Sequence, residues 1–154
     1  MEIFVEKTIA AGKPWTDPEF PPERSSLYDP EIDTEIDQRA FNSFKWKRAS
    51  ELFNPIYVFE DGVEPNDINQ GQLGDCYFLA ALSSLAEFPD RVKALFVTQT
   101  VNKAGIYLVR FFLNGQETPI LVDEHLPVGA NGKPCFATCR DNELWVSLLE
   151  KAWA

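Results

Sequence analysis

The sequence has few cysteines, few basic residues and no long hydrophobic run, and each scarcity excludes a class of protein. Its three cysteines are an odd number and follow no secretory signal, which argues against a disulfide scaffold. Its 14 Lys and Arg stand against 24 Asp and Glu, a net charge of −10, so it lacks the basic surface that nucleic acids and anionic membranes require. No window reaches the ~18 apolar residues of a transmembrane helix. We expect a cytoplasmic protein that neither spans a membrane nor binds nucleic acid.

What is present fits an ordinary globular domain whose charge is concentrated at one end. Hydrophobic residues make up 45% of the chain and charged residues 25%, close to the globular average. The length suffices for one domain or for part of a larger one. Of the 24 acidic residues 16 precede Cys76, whereas the 14 basic residues divide evenly about that position. Such an acidic flank is usually solvated surface, although an acidic chain suits metal cations better than anions.

The first seventy residues predict irregular structure with one short helix. Residues 12–30 contain five prolines, which favours a loop that follows the surface. Apolar residues recur every four positions within 32–44 and predict a short helix. Residues 54–69 combine loop residues with a short strand pattern.

A clear amphipathic helix is predicted to begin at Cys76. Its apolar face has spacings of three and four residues and comprises Phe78, Leu79, Leu82, Leu85 and Ala86. Asp75 is expected as its N-cap, and Gly71 and Gly74 are expected to let the backbone turn tightly before it. Pro89, at a first-turn position, restarts a second helix.

A β-hairpin is predicted next. Residues 106–113 and 120–122 are rich in β-branched and aromatic side chains, and Asn114-Gly115 between them is a strong hairpin turn. The whole pattern predicts an α/β (α+β) fold in which a central helix packs beside a small antiparallel hairpin.

A last helix is predicted over residues 144–153, with Asp141 or Asn142 expected as its cap. The helical pattern reaches Ala154 without a C-cap. We expect from this either a truncation or a surface that meets another unit.

Cys76 is the candidate for chemistry. A thiol is nucleophilic as thiolate, and the first turn of a helix stabilises that anion through its free N–H groups. The same turn offers the Cys76 N–H to an oxyanion, and Gln70, across a glycine-containing turn, can supply a second donor. Acyl transfer through a thioester requires this combination. A lone cysteine on an apolar helix is, however, usually a core residue, and spacing alone leaves both interpretations open.

Five motifs carry a resemblance to the calpains, the calcium-dependent cysteine endopeptidases. The segment 70–80 reads QGQLGDCYFLA and resembles the calpain cysteine box. In the family's order along the chain, four further matches are the D-x-x-F-P segment in 17–27, W-x-R at 46–48, the V-D-D-x-L-P strand in 121–127, and the N-E-x-W-x-x-L-L-E-K-A helix at 142–152. The chain is identified as a member of this family. The resemblance implies the first subdomain of a papain-like protease core over residues 17–154, preceded by an unassigned lead at 1–16.

The resemblance assigns the catalytic roles. It places the nucleophile at Cys76 and the oxyanion-hole glutamine at Gln70. Calpains carry their catalytic histidine and asparagine in a second subdomain, downstream of residues matched here. The single histidine, His125, occupies a position without a catalytic role in the family, and we interpret it as a solvated surface residue. The resemblance thus implies half of a cysteine endopeptidase for protein substrates, inactive without its second subdomain as partner.

A calcium ion is also implied by the resemblance. Calpains bind one in this subdomain, and the matching positions are the carbonyls of Glu60 and Gly62 and the carboxylates of Asp67 and Glu143. Calcium prefers such oxygen ligands. Trp145, just beyond Glu143, is expected in the core and as a support for this loop.

Two alternatives stay open at this stage. The chain can instead be a non-catalytic calpain-like module that binds calcium or a partner protein. Cys135, Cys139 and His125 offer three soft ligands, but a structural zinc site normally needs four in tighter pairs. Free thiols, buried or partly exposed, are the better interpretation of these two cysteines.

Overall fold

The computed structural model describes residues 1–29, 31, 41–60, 62–71, 74–140 and 142–154. Its helices are α1 (Glu2–Ala11), α2 (Ala49–Leu52), α3 (Cys76–Ala86), α4 (Pro89–Ala94) and α5 (Trp145–Trp153), and its strands are β1 (Lys45–Arg48), β2 (Ile106–Leu113), β3 (Gln116–Asp123) and β4 (His125–Val128). The mixture of helices with small antiparallel sheets confirms the predicted α/β (α+β) class. The helix predicted over 32–44 falls mainly on residues outside the described ones.

The strands form two antiparallel pairs. β2 and β3 make the predicted hairpin, with Ile106 opposite Asp123 and Leu113 opposite Gln116. Asn114 and Gly115 at its turn have φ values of 51° and 77°, the left-handed pair that this dipeptide adopts readily. β1 pairs with β4, so that Trp46 lies opposite Pro127. That second pairing was not predicted, because β1 is a four-residue strand without a clear alternation.

The core lies between α3, α5 and one face of the hairpin. α3 buries most of its predicted apolar face, with Leu85 half-buried at its edge, and α5 is buried continuously from Trp145 to Glu150. Other core residues include Val92, Phe96, Tyr107, Val109 and Val122. Each large side chain buried here contributes about 1.5–3 kcal/mol relative to exposure, so α3 is held by packing on its whole inner face.

The lead at residues 1–16 is mostly the helix α1. Val5 packs with Ala104, Ile106 and Leu108 in a second, smaller apolar cluster on the hairpin. Gly12 ends the helix in a left-handed conformation, with φ 64°, as glycine does at many helix ends. No helix formed by the described residues has the length and apolar character needed to cross a bilayer.

The prediction that Asn142 caps the last helix is wrong. The N-cap of α5 is Leu144, with no side-chain cap hydrogen bond. Asn142 instead has a left-handed backbone, with φ 61°, and its carbonyl accepts the Tyr57 N–H at 3.2 Å. The backbone here pairs with the loop around Tyr57 rather than starting a helix. Asp141, the alternative cap, lies outside the described residues.

Asp123 is fully buried at the end of β3 and joins three other parts of the chain. Its carboxylate accepts the Asp17 N–H at 2.8 Å, the His125 N–H at 2.9 Å and the Lys151 ammonium group. Burial raises the pKa of Asp123, but the charge of Lys151 and these hydrogen bonds outweigh it and hold that pKa below its ordinary value. One carboxylate thus connects the proline-rich segment at residues 12–30, β4 and α5 to the hairpin.

His125 belongs to this cluster, so its interpretation as a solvated surface residue is wrong. Its side chain is half-buried, and its Nδ1 lies 2.9 Å from Oδ2 of Asp123. Asp123 and His125 lie two residues apart, one on each side of the step from β3 to β4. The His125 ring is therefore close enough to contact the Asp123 carboxylate.

We expect Asp123→Asn to lower the free energy of unfolding by about 3–5 kcal/mol, because it removes the carboxylate that pairs directly with the buried Lys151 ammonium. Urea unfolding at pH 7 measures this. In the native protein the contribution of Asp123 is present above about pH 4, the ordinary Asp pKa, and is lost as pH falls further.

The matched control is Glu117→Gln, which breaks an exposed ion pair with Arg110 in the same hairpin. Its expected cost is below about 1 kcal/mol. Equal small losses in both variants would contradict the role given to Asp123.

Candidate functional site

Cys76 lies exposed at the first position of α3. The Asp75 carbonyl accepts the N–H groups of Phe78 at 2.8 Å and Leu79 at 3.1 Å, which fixes the first turn of the helix. Because the first N–H groups of a helix have no intrahelical acceptors, the thiol sits beside free donors at the positive end of the helix dipole. The residue is therefore outside the packed core, unlike an ordinary buried cysteine.

The loop before Cys76 is attached to the segment 135–139. Asn69 and Thr138 exchange two backbone hydrogen bonds of 2.8 and 3.0 Å. A Cβ atom on Gly71 would lie 2.2 Å from the carbonyl carbon of Phe136, so only glycine permits this approach of two backbones. Gln70 lies between these two contacts with an exposed side chain. Its position is thus fixed on both sides, six residues before the cysteine.

The sequence predicts that Gly74 helps the backbone turn tightly before the helix, but its conformation does not require a glycine. Its φ is not in the left-handed range, and a Cβ atom added there would meet no atom of the described residues within 4 Å. The tight approach before the helix therefore depends on Gly71, whereas Gly74 leaves open space beside Cys76.

Asp75 occupies the N-cap position of α3, but its side chain does not cap the helix as predicted. The carboxylate is buried, and neither oxygen receives a hydrogen bond from an N–H or hydroxyl group of the described residues. It faces Glu150 of α5, also buried. Burial first, then the hydrogen bond and charge of Asp75, raise the pKa of Glu150 to about 8, while the Ala137 N–H opposes the rise.

Glu150 is a site residue that the sequence analysis missed. A signal existed, because Glu150 follows Leu148 and Leu149 and lies among apolar residues of the last helix, where an unpartnered carboxylate is unfavourable. Its carboxylate accepts the Ala137 N–H at 3.0 and 3.2 Å. The nearby Ser147 hydroxyl donates to the Ala137 carbonyl at 2.8 Å.

The four residues expected to bind calcium lie around one loop. Glu143 is buried, and its carboxylate accepts the Glu60 N–H at 2.5 Å and the Trp145 indole N–H at 3.2 Å. Burial and the charges of Asp67 and Glu60 raise the pKa of Glu143 above its ordinary value, against the two hydrogen bonds. Asp67 accepts the Glu64 N–H at 2.8 Å, and Gly62 has φ 136°. Trp145 thus supports this loop, as the sequence predicts.

Two loops form separate sites: the acidic loop, which contains Glu60, Gly62 and Asp67, and the cysteine loop, which precedes Cys76 and contains Gln70 and Gly71. One segment of the chain, residues 135–140, contacts both. The Asp67 carbonyl accepts the Arg140 N–H at 3.1 Å, two residues beyond the Thr138 contact to Asn69. No three His, Cys, Asp or Glu side chains among the described residues are grouped to hold a metal. The expected calcium set, by contrast, combines two carboxylates with two backbone carbonyls.

Cys135 and Cys139 are buried and form no disulfide, as expected. Burial raises the pKa of the Cys135 thiol, which makes it less reactive than an exposed thiol. Cys76 is the exposed cysteine of the three.

Trp153 of α5 packs on the two residues of α3 that follow Cys76. The Trp153 ring stacks on Phe78 with centroids 5.1 Å apart, and its indole N–H donates to the Tyr77 hydroxyl at 3.0 Å. Tyr77 and Trp153 both stay exposed. A cavity of about 520 Å³ lies elsewhere, between residues 19–28 and α5, and Cys76 does not line it.

Comparison with known proteins identifies the family. The calpain family cysteine protease model matches residues 15–154. The chain is 38% identical over 157 residues to the calpain-type cysteine protease ADL1 of Oryza sativa subsp. japonica, and 40% identical over 154 residues to the calpain-type cysteine protease DEK1 of Zea mays. It is 35% identical over 155 residues to calpain-5 of Caenorhabditis elegans.

These alignments cover nearly all of this chain and a small part of each relative. They span 97%, 95% and 95% of the chain, but 7%, 7% and 22% of the rice, maize and nematode proteins. The family match begins two residues before the D-x-x-F-P segment and includes the cysteine box and the last helix. The chain belongs to the calpain family of cysteine proteases.

Proposed function

We propose that this chain forms the first half of the protease core of a calcium-dependent cysteine endopeptidase, with Cys76 as the nucleophile. The observation that carries the proposal is the position of Cys76, exposed at the first residue of α3 and preceded by a loop that two backbone contacts hold in place. In the family context this geometry supports attack of the Cys76 thiolate on a peptide carbonyl, formation of a thioester and release of the amine.

In this mechanism the exposed side-chain amide of Gln70 and the N–H of Cys76 donate hydrogen bonds to the oxyanion that forms during attack. The attachment of the loop at Asn69 and Gly71 keeps the glutamine in position before substrate binds. The proton of the Cys76 thiol requires an acceptor, and the single histidine of the chain is bonded to Asp123. The general base therefore comes from a second subdomain, and the 154 residues alone are expected to be inactive.

Protein substrates and a cytoplasmic location belong to the same proposal. A cleft that needs two subdomains accepts extended peptide segments between them. The absence of a disulfide at any of the three cysteines fits a reducing compartment. The other candidate, a non-catalytic module that binds calcium or a protein, has no observation of its own in its favour and is an outcome of the tests below.

We expect peptide cleavage in the presence of calcium when the chain is expressed together with the coding sequence that follows Ala154 in its reading frame, and none from the 154 residues alone. Cys76→Ala should abolish cleavage. Gln70→Ala should lower kcat by about 10²–10³-fold, as removal of one oxyanion donor does. Hydrolysis of a fluorogenic peptide measures both effects.

Gln116→Ala is the matched control for the glutamine, because Gln116 is exposed on the hairpin and should leave kcat unchanged. Cleavage retained in Cys76→Ala would refute the nucleophile. A longer protein that binds calcium but cleaves no peptide would favour the non-catalytic module.

We further propose that the loop around Glu60 binds calcium. The donor set fits, because it combines two carboxylates, Asp67 and Glu143, with carbonyls of a glycine-containing loop. Burial raises the pKa of Glu143, and the charges of Asp67 and Glu60 add to that rise. A divalent cation would relieve the repulsion among these three acidic residues. Bound calcium would supply positive charge that holds this loop against the start of α5.

Calcium binding to the 154-residue chain is expected in calorimetry at up to millimolar concentration. Asp67→Asn should weaken it roughly tenfold or more, because it removes one ligand charge while keeping an oxygen that can accept the Glu64 N–H. The matched control is Asp90→Asn, an exposed aspartate in the first turn of α4. Absence of heat at millimolar calcium would contradict this site.

A further inference from the structure

The buried carboxyl groups of Asp75 and Glu150 have no role in the mechanism above, although one of them adjoins the nucleophile. Asp75 directly precedes Cys76, and both of its oxygens are buried without a donor from N–H or hydroxyl groups of the described residues. A buried carboxylate without a hydrogen bond is strongly unfavourable. The group that faces it is the carboxyl of Glu150, which can donate a hydrogen bond only in its protonated form.

We propose that Glu150 is a positioning residue for the nucleophile, whose protonated carboxyl group donates to the Asp75 carboxylate and so keeps a single negative charge behind Cys76. The pair shares one proton, as two adjacent carboxyl groups do when both cannot ionise together. The hydrogen bond from Glu150 of α5 gives the Asp75 carboxylate a donor, so Asp75 does not need to cap α3. The N–H groups in the first turn of α3 are then left to stabilise the Cys76 thiolate. The proposal rests on the proposed role of Cys76.

The contacts of Glu150 hold it in the orientation that this role requires. The Ala137 N–H donates to its carboxylate, and Ser147 donates to the Ala137 carbonyl, which fixes that peptide group between α5 and Glu150. Ala137 belongs to the same segment that contacts Gly71 and Asn69. The cysteine loop and the proton donor are therefore attached to one stretch of backbone.

Other charged and titratable groups surround the pair. Lys151 and His125 line the same cavity as Glu150, and both bond the Asp123 carboxylate. Glu19 and Tyr28 also line that cavity, the segment that carries Ala137 contributes the thiols of Cys135 and Cys139, and α3 contributes Cys76 and Tyr77. Glu150 is the group that faces Asp75, the residue directly before the nucleophile.

This arrangement predicts how the reactivity of Cys76 changes with pH. The pKa of Glu150 is raised to about 8, so the pair carries one negative charge below that pH and two above it. The second charge disfavours the thiolate, and the two titrations couple. We expect the rate of Cys76 alkylation to rise over a broadened, two-step pH profile between pH 7 and 10.

The test uses the 154-residue chain and iodoacetamide, with the Cys76 peptide followed by mass spectrometry so that Cys135 and Cys139 are read separately. In Glu150→Gln the amide still donates to Asp75 but cannot ionise. We expect a single-step profile and alkylation about twofold faster at pH 9, for a coupling of about one pH unit. Glu87→Gln removes the same charge at the far end of α3 and should leave the profile unchanged.

A second measurement reads the pair directly and does not depend on the folding of the glutamine variant. Carboxyl ¹³C NMR should show Glu150 titrating near pH 8 in the native chain. Titration of Glu150 in the ordinary glutamate range would overturn the proposal, as would identical alkylation profiles in the native chain and Glu150→Gln. Because no peptide is cleaved in these experiments, failure of the protease function would leave their outcome unaffected.

Discussion

The Asp123 carboxylate fixes three other parts of the chain against the hairpin. It is fully buried, and it takes hydrogen bonds or charge from Asp17, His125 and Lys151, which lie far apart in the chain. Since a buried charge is tolerated only when it is paired and hydrogen-bonded, all of these partners must contact Asp123 in the folded protein. The last helix is thereby fixed against the hairpin, and Glu150, one residue before Lys151, is fixed against Asp75.

Much of the fold could be predicted because local signals agree with the tertiary structure. The Asn114-Gly115 turn and the apolar face of the cysteine helix correspond to the observed hairpin and to α3. The failures share a cause. Asp75 and Asn142 have the composition of a helix cap and His125 that of a surface residue, but their contacts depend on tertiary structure. Asp75 faces Glu150 and Asn142 bonds Tyr57, both distant in the sequence, and His125 contacts the Asp123 carboxylate, which packing buries. Sequence periodicity carries no information about such partners.

Some parts of the candidate site can be predicted from the sequence pattern, and others cannot. The placement of Cys76 at a helix start follows from local pattern, whereas the calcium positions came from resemblance alone, because an acidic loop is usually just solvated. The proximity of these residues arises only from tertiary structure: the Glu143 carboxylate accepts the Glu60 N–H, and the charges of Asp67 and Glu60 add to the effect of burial on the pKa of Glu143. Glu150 was overlooked because its partner precedes the cysteine by one residue and lies 75 positions away in the sequence.

The contact of Gly71 with the backbone of Phe136 has a consequence for how the two loops can vary. The segment that begins there also bonds Asn69 through Thr138, Glu150 through Ala137 and Asp67 through Arg140. An insertion or deletion of one residue between 136 and 140 would shift these contacts out of register with one another. The length of this stretch therefore fixes the spacing between the cysteine loop and the acidic loop.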